Sequence, residues 1–533
     1  MTRLRQNPIA VLVSAEMVSF VTLIFICQLV MQTGIAPGLA DPDYQWHLKA
    51  GELIAATGAL PTGDPFSWTF EGQPWVLHEW LFQLLLYGVY SLGGEPAVLF
   101  MTALVGGAAL FVAARLADRF IQRPLASCLL TLFFCVILVS FMAPRPHLFS
   151  YLFFGVQLGL LWRARYETKQ GGLFLLPVLM VVWVNLHGGY FVGLAFLFAF
   201  AASESLRLLL VERVAPTGPG GGYLARLWIV LLLTLAASGV NPYGFGHLLY
   251  PLTVMQMEAI STISEWATLN FSDLKNLSFV VAFMGFVALM VGRRDKPDLT
   301  EILLPLVTVA AGIASARNAP FAVVIMVAYA GRFIGDGALL PLASAFGLDR
   351  RSAESQGDSL NPRIERLLNG LIVVLLAGYA IGASNSAQYF SRIAAFRPTE
   401  LTDFIKQQDL QGRMMNEYGL GGHLIRDLYP ERKVFIDGRA DLYGDSFVLA
   451  NHRATKQGEN WRRHLDDWQI DYAVVQKQDA IAKLLYEAGD FALVFDGKIY
   501  EIYVRRGDKN GAVIQRFETT RTDGTPGNQG VKE

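Results

Sequence analysis

The chain has 533 residues, of which 53% are hydrophobic, 12% aromatic and only 17% charged, and its formal net charge is −1. A soluble chain of this length carries about 25% charged residues, and the mean hydropathy here is +0.37. These values exclude a disordered protein, a disulfide scaffold and an ordinary soluble enzyme. They give no footing for nucleic acid, and they point to a polytopic membrane protein with a soluble part.

Taken in chain order, a basic start (Met1 to Arg5) precedes an almost wholly apolar stretch, Pro8 to Met31. It is too long for a signal peptide and lacks a small-residue cleavage site, so a retained first helix is expected. A long loop, 32–93, follows, and inside it the short apolar stretch Glu79 to Leu92 reads as an interfacial helix. Apolar runs at roughly 94–114, 124–143, 147–162, 173–188, 189–206, 227–240, 277–292, 301–316, 318–335 and 368–385 complete a count of about eleven transmembrane helices over 1–385. The polar stretch 338–366 reads as a connector. Cys27, Cys128 and Cys135 all sit in apolar runs and read as fillers, not as a disulfide set or metal cage.

From about 386 the pattern changes. Val434–Ile436, Tyr472–Val475, Ala492–Phe495 and Ile499–Val504 look like strands, separated by helical stretches at about 398–409, 443–455 and 478–488. A small α/β domain over 386–508 is expected, then a disordered tail, 509–533. No internal repeat is visible.

Basic residues orient the chain. With the N-terminus inside, most short-loop Lys and Arg fall on the inner side, and the short outer segments carry only Lys49, Arg145, Lys275 and Arg317. This positive-inside asymmetry predicts a cytoplasmic N-terminus and a C-terminal domain outside, in the periplasm of a bacterial inner membrane. The same topology puts the unusual polar residues at outer helix ends. They are Asp41-Pro42-Asp43 with His47, His78-Glu79-Trp80, Arg145-Pro146-His147, Asn185-Leu186-His187, Asn241-Pro242-Tyr243-Gly244, Glu265-Trp266 and Arg317-Asn318. None is expected at an inner end. Ionisable groups at a membrane are costly unless they meet water, a partner or a ligand, so one shared outward cavity is predicted.

Each residue type there suits a phosphate-bearing lipid. Arg145 and Arg317 can clamp phosphate, and His147 and His187 can donate to it. Asp41 and Asp43 can act as base, or hold a divalent cation with Glu265. The plainer readings are snorkelling for the arginines, interhelical glue for Asn185 and His187, a helix-ending turn at Asn241–Gly244, and interfacial anchoring for His78 and Trp80.

The retained helix, then the loop opening Asp41-Pro42-Asp43-Tyr44-Gln45-Trp46-His47, then the interfacial helix, resembles the GT-C superfamily of membrane glycosyltransferases. The nearest likeness is to the catalytic subunit of oligosaccharyltransferase. Thr262-Ile263-Ser264-Glu265 is similar to its Ser/Thr-Val/Ile-x-Glu motif, and Asn416-Glu417-Tyr418-Gly419, followed by Asp437-Gly438-Arg439, stands where its Trp-Trp-Asp-Tyr-Gly motif would. The tryptophans and aspartate that read a glycosylation sequon are absent. The second-loop acid is replaced by Arg145-Pro146-His147, which puts Mg²⁺ or Mn²⁺ binding in doubt.

The resemblance implies an inverting glycosyltransferase that moves a sugar or glycan from a polyprenyl-(di)phosphate carrier, within the membrane lipid, to a glycan, lipid or protein acceptor. It makes Asp41, Asp43 and Glu265 catalytic, with a cation as an option on the same three. His47, Arg145, His147, Asn185, His187, Arg317 and Asn318 would bind donor, and Glu79, Trp266 and Tyr418 would face the acceptor. The alternatives are an O-antigen ligase or polymerase, a transporter of lipid-linked glycans, and a non-catalytic scaffold.

Overall fold

A computed structural model describes residues 13–213, 219–263, 265–339 and 362–519. The basic start Met1 to Arg5, Ser264, most of the 338–366 connector and the end of the expected tail lie outside the described residues. The chain falls into two compact units. One comprises Met1–Leu39, His78–Gln256 and Ile260–Ala387; the other comprises Ala40–Leu77, Met257–Ala259 and Gln388–Glu533.

The first unit is helical. In chain order the elements are α1 (Ala15–Gln32), then α2 (Asp43–Thr57), which belongs to the second unit, α3 (Trp80–Ile121), α4 (Pro124–Phe134), α5 (His147–Tyr166), α6 (Leu175–Leu186) and α7 (Tyr190–Ser205). After these come α8 (Pro219–Ala237), α9 (Leu274–Gly292), α10 (Leu299–Ala314), α11 (Ala319–Gly335) and α12 (Pro362–Ser384). Among the described residues seven helical segments are long and apolar enough to cross a membrane, and three shorter ones, Gln170–Leu186, Asn276–Gly292 and Leu299–Ala314, are apolar as well. The expected eleven drew on such shorter stretches too.

Local chemistry sets the boundaries. Ser14 caps α1 by accepting from Met17 N at 3.2 Å, and Asp298 and Glu301 form a capping box at the start of α10. Helix α3 is broken at Gly93 and Gly94, the latter at φ +61°, so its first three turns stand apart from the rest. That first part is the stretch expected as an interfacial helix. The core is built around α11, where every residue from Ala319 to Gly331 is buried. Its Gly331 lies so close to α3 that a Cβ would stand 2.3 Å from Ala117 Cα. Close approach through small residues is how apolar helices pack when no hydrophobic drive separates them from lipid. Leu125, Leu129 and Phe133 on α4, and Leu371, Val374 and Leu375 on α12, are exposed. In water such faces would be a liability, whereas in lipid they are at home.

The second unit carries a four-stranded sheet in the order β1-β2-β4-β3, where β1 is Met414–Asn416, β2 Tyr472–Gln476, β3 Phe491–Asp496 and β4 Tyr500–Arg505. The β1–β2 pair is parallel (Met414 beside Tyr472). The β2–β4 and β4–β3 pairs are antiparallel (Val474 opposite Ile502, Leu493 opposite Tyr503). Three of the expected strands are present. Val434–Ile436 is not a strand of the sheet: Val434 forms an isolated parallel bridge with Ser67. The strand that does pair, β1, is a three-residue Met-Met-Asn run too short to announce itself. Helix α13 (Gly511–Phe517), with Ile514 buried, occupies the beginning of the segment expected as a disordered tail.

The 40–77 segment is part of this second unit, whereas the sequence reading drew it with the helices. It is stitched in by Trp68 Nε1 donating to Met414 O (2.9 Å) and Thr69 Oγ1 donating to Phe435 O (2.6 Å). Arg439 pairs with Asp64 (2.7 Å). Sequence distance hides such contacts, since the partners are more than 340 residues apart.

Candidate functional site

In the helical unit, six of the sequence-predicted clusters meet at one end. The 265–269 segment runs beside the end of α10: Leu269 N donates to Ile313 O (3.1 Å), Ala316 N to Ala267 O (3.0 Å) and Arg317 N to Glu265 O (3.0 Å). The turn before α5 presents Arg145, whose guanidinium pairs with Glu265 at 2.6 Å. The Arg317 guanidinium lies over the Trp266 ring, 4.7 Å from its centroid, and its Nη2 is 3.1 Å from His187 Nε2. Glu79 Oε1 is 3.7 Å from His187 Nε2 and 3.6 Å from His78 Nε2.

The protonation of His187 follows from its neighbours. Gly189 N donates to Nδ1 (3.1 Å), and Ser150 Oγ, which accepts from Trp183 Nε1 (2.7 Å), stands 2.7 Å from the same Nδ1. Nδ1 is therefore an acceptor, and the neutral ring carries its proton on Nε2. That N–H faces a guanidinium, itself only a donor. Among the described residues no carboxylate forms an ion pair with Arg317. Apart from Glu79 Oε1, 3.7 Å from Nε2, no acceptor among the described residues stands by these two converging donors, an arrangement that an anion can complete. Burial raises the Glu265 carboxyl, but Arg145 and Arg317 outweigh it, so its pKa falls below the ordinary value and the group stays ionised.

Other predicted residues do different work. Asn185 accepts from Trp80 Nε1 (2.9 Å) and donates to Val181 O and Val240 O (2.8 Å each), which makes it helix glue. His147 bonds Phe141 O at 2.7 Å, tying down the turn that carries Arg145. Asn318 has one long side-chain contact, 3.5 Å to Ala311 O. His247 escaped the sequence reading. It is 2% exposed, neither ring nitrogen has a hydrogen-bond partner among the described residues, and its ring lies 5.3–6.0 Å from those of His78, Tyr190, Tyr243 and Tyr250. Its only sequence signal was a polar residue in the Gly-Phe-Gly-His-Leu-Leu run. Ser150 and Trp183, which orient His187, gave no signal.

The remaining acids lie in the second unit. Asp41 Oδ1 accepts from Asp43 N (3.0 Å), which starts α2, and Asp43 Oδ1 accepts from Trp46 Nε1 (3.2 Å). His47 stacks tightly on Trp46, with centroids 3.7 Å apart. Tyr418 sits half-buried in a turn capped by Glu417, which accepts from Leu420 N at 2.9 Å.

Buried charges also occur at the other end of the helical unit. Glu204, fully buried, pairs with Arg165 and Arg207 (2.8 Å each) and accepts from Thr300 Oγ1 (2.7 Å). Glu301 pairs with Arg293 (2.6 Å) and Arg332 (2.5 Å), and Asp298 pairs with Arg165. Sequence spacing scattered these residues over 168 positions as single charges in separate loops, so their meeting was invisible.

The donor set does not fit a divalent cation. Glu265 is committed to Arg145, and among the described residues no three His, Cys, Asp or Glu side chains are grouped to hold a metal.

No protein-family model and no curated protein sequence matches the chain. Solved structures do match in fold. The archaeal oligosaccharyltransferase AglB from Archaeoglobus fulgidus, in complex with an inhibitory peptide and a dolichol-phosphate, superposes over 86% of this chain and 69% of its own at TM-score 0.53 and 12% identity. The same enzyme tethered to an acceptor peptide containing the NVT sequon covers 92% and 74% at TM-score 0.51 and 13% identity. ArnT from Cupriavidus metallidurans bound to undecaprenyl phosphate covers 92% and 97% at TM-score 0.46 and 14% identity. The two AglB structures show that the chain shares the fold of that oligosaccharyltransferase, in line with the resemblance drawn from its sequence.

Proposed function

We propose that the protein is a membrane glycosyltransferase that takes a sugar or glycan from a polyprenyl-(di)phosphate carrier and transfers it to an acceptor hydroxyl or amine. The observation that carries this reading is the pair of converging donors, Arg317 and His187 Nε2–H, set beside the Arg145–Glu265 pair. The fold likeness to AglB, whose structure holds a dolichol-phosphate, supports it.

In this mechanism the carrier phosphate takes its place as the acceptor for Arg317 and His187, and Arg145 adds charge. Charge that develops on the departing phosphate is met by fixed donors already aimed at it. The acceptor oxygen or nitrogen attacks the anomeric carbon, and the bond from that carbon to the phosphate oxygen breaks. The electron pair leaves with the phosphate, and the acceptor proton goes to a carboxylate. Asp43 is that base, and Asp41 holds its helix start. A single displacement inverts the anomeric centre. Phosphate is a stable leaving group, so no general acid is required.

The distribution of basic residues supports an outward-facing site in a bacterial inner membrane, with the N-terminus cytoplasmic and the C-terminal α/β unit periplasmic. The absent sequon-reading residues favour an acceptor other than an Asn-x-Ser/Thr peptide.

The test is release of free carrier from a short polyprenyl-phosphate sugar by the purified full chain, with membrane extract as acceptor source. Wild type releases carrier, and Asp43→Asn lowers release at least a hundredfold. Retention of full release by Asp43→Asn removes the base assignment. Failure of undecaprenyl phosphate to bind at all removes the carrier reading.

A further inference from the structure

The Asp437-Gly438-Arg439 turn lies against Asp43. A Cβ built on Gly438 would stand 2.1 Å from Asp43 Oδ1, the same oxygen that accepts from Trp46 Nε1. Real contacts of that kind are no closer than about the sum of van der Waals radii, so only a hydrogen can occupy this position. A second glycine repeats the pattern one residue earlier: a Cβ on Gly422 would stand 2.3 Å from Pro42 O. Backbone without side chains thus faces the Asp-Pro-Asp segment at two points.

The turn cannot retreat. Asp437 is wholly buried; its Oδ1 accepts from Arg439 N (3.1 Å) and Nε (2.7 Å), and its Oδ2 from Arg439 Nη2 and Tyr443 Oη (2.6 Å each). Arg439 Nη1 donates to Asp64 Oδ1 at 2.7 Å, and its guanidinium lies 4.6 Å from the Trp75 ring centroid. Asp64 in turn accepts from Phe66 N and Ser67 N, at 3.0 Å each. A buried Arg forked between two carboxylates is rigid, because moving any member strands a charge away from water.

We infer that Gly438 and Arg439 are positioning residues, which hold the Asp43 carboxylate at a fixed place and rotamer through backbone contact and a buried ionic clamp. Their relevance to catalysis rests on the reading of Asp43 as the base. A reacting group displaced by about 1 Å loses on the order of a hundredfold in rate, without necessarily losing substrate affinity.

The experiment reads geometry and turnover separately on the full chain in nanodiscs. Incorporated 5-fluorotryptophan gives a ¹⁹F resonance for Trp46, identified by its loss in Trp46→Phe, that reports the bond to Asp43. Gly438→Ala is expected to shift this resonance, as Asp43→Asn does. It is also expected to lower kcat for carrier release about a hundredfold with KM within twofold. Arg439→Lys keeps the charge and loses the fork; it is expected to shift the resonance the same way by less, and it serves should Gly438→Ala fail to fold. An unmoved resonance in a folded variant overturns the inference whatever the activity. A shifted resonance with wild-type kcat, where Asp43→Asn is dead, overturns the catalytic part. A shifted resonance where Asp43→Asn is fully active leaves the clamp standing and sinks the base assignment of the preceding subsection instead.

Discussion

The two ends of the helical unit gather charge in opposite ways. At one end Glu204 and Glu301, buried in the bundle, are each met by two arginines, and Thr300 Oγ1 and Asp298 complete the set. Each charge of that cluster has a partner among the described residues. At the other end Arg145 pairs with Glu265, whereas among the described residues Arg317 forms no carboxylate ion pair of its own and lies over an aromatic ring beside the N–H of His187. Both are costly to place in a membrane protein. The first repays its desolvation internally and needs nothing else. The second is left incomplete, and an incomplete set of donors at a helix end asks for an anion. Closure of the network, more than the number of charges, separates a staple from a site.

The comparison can be broken first at the closed end. Glu301→Gln removes the closer of the two carboxylates that Arg293 and Arg332 share, leaving them Asp336 at 3.3 and 3.6 Å. Removing one partner of a buried pair costs about 3–5 kcal/mol. A large fall in the unfolding temperature in detergent is expected, with carrier release per folded molecule unchanged. If Glu301→Gln folds as well as wild type but loses turnover, the Glu204–Glu301 cluster is not a staple and the contrast fails.

Arg317→Gln tests the open end. Its loss removes one of the converging donors, an effect of about 2.7–4 kcal/mol on the chemical step where such donors meet developing charge. Turnover and undecaprenyl phosphate affinity should both fall, with the unfolding temperature little changed. A variant that unfolds while any surviving fraction keeps full turnover would make Arg317 a structural residue, like those at the other end.

Apolar runs marked the helices, because a lipid-facing helix needs an unbroken hydrophobic stretch. The residues of the open end were legible because Arg145, Glu265 and Arg317 each interrupt apolar surroundings next to Pro, Trp or Asn. The partners were not legible. Nothing in the chain order says that Glu301 meets Arg332, or that Asp64 meets Arg439 from 375 positions away. The three-residue β1 carries no periodicity to detect, and Val434–Ile436 has strand composition but is fixed by a single bridge to the 40–77 segment. The tautomer of His187 depends on Gly189 N and Ser150, which are known only once the fold brings them together.

The smallest expected effect sharpens the contrast from the acid side. Glu265 has a folded pKa below its ordinary value, because Arg145 and Arg317 outweigh the burial that would raise it. A carboxyl depressed in the folded state binds fewer protons there than in the unfolded chain. It therefore contributes stability above the ordinary value of about 4.3, and that contribution is lost as pH falls through the lower folded value. Wild type should hold its margin over Glu265→Gln from pH 7 down to about 5, then lose it progressively below about 4.3. Unfolding temperatures of the two proteins across pH 3.5–7 measure it. A margin that vanishes already near pH 6 would mean that the Arg145–Glu265 pair is not what keeps the carboxylate charged. The open end would then have both arginines to offer a phosphate.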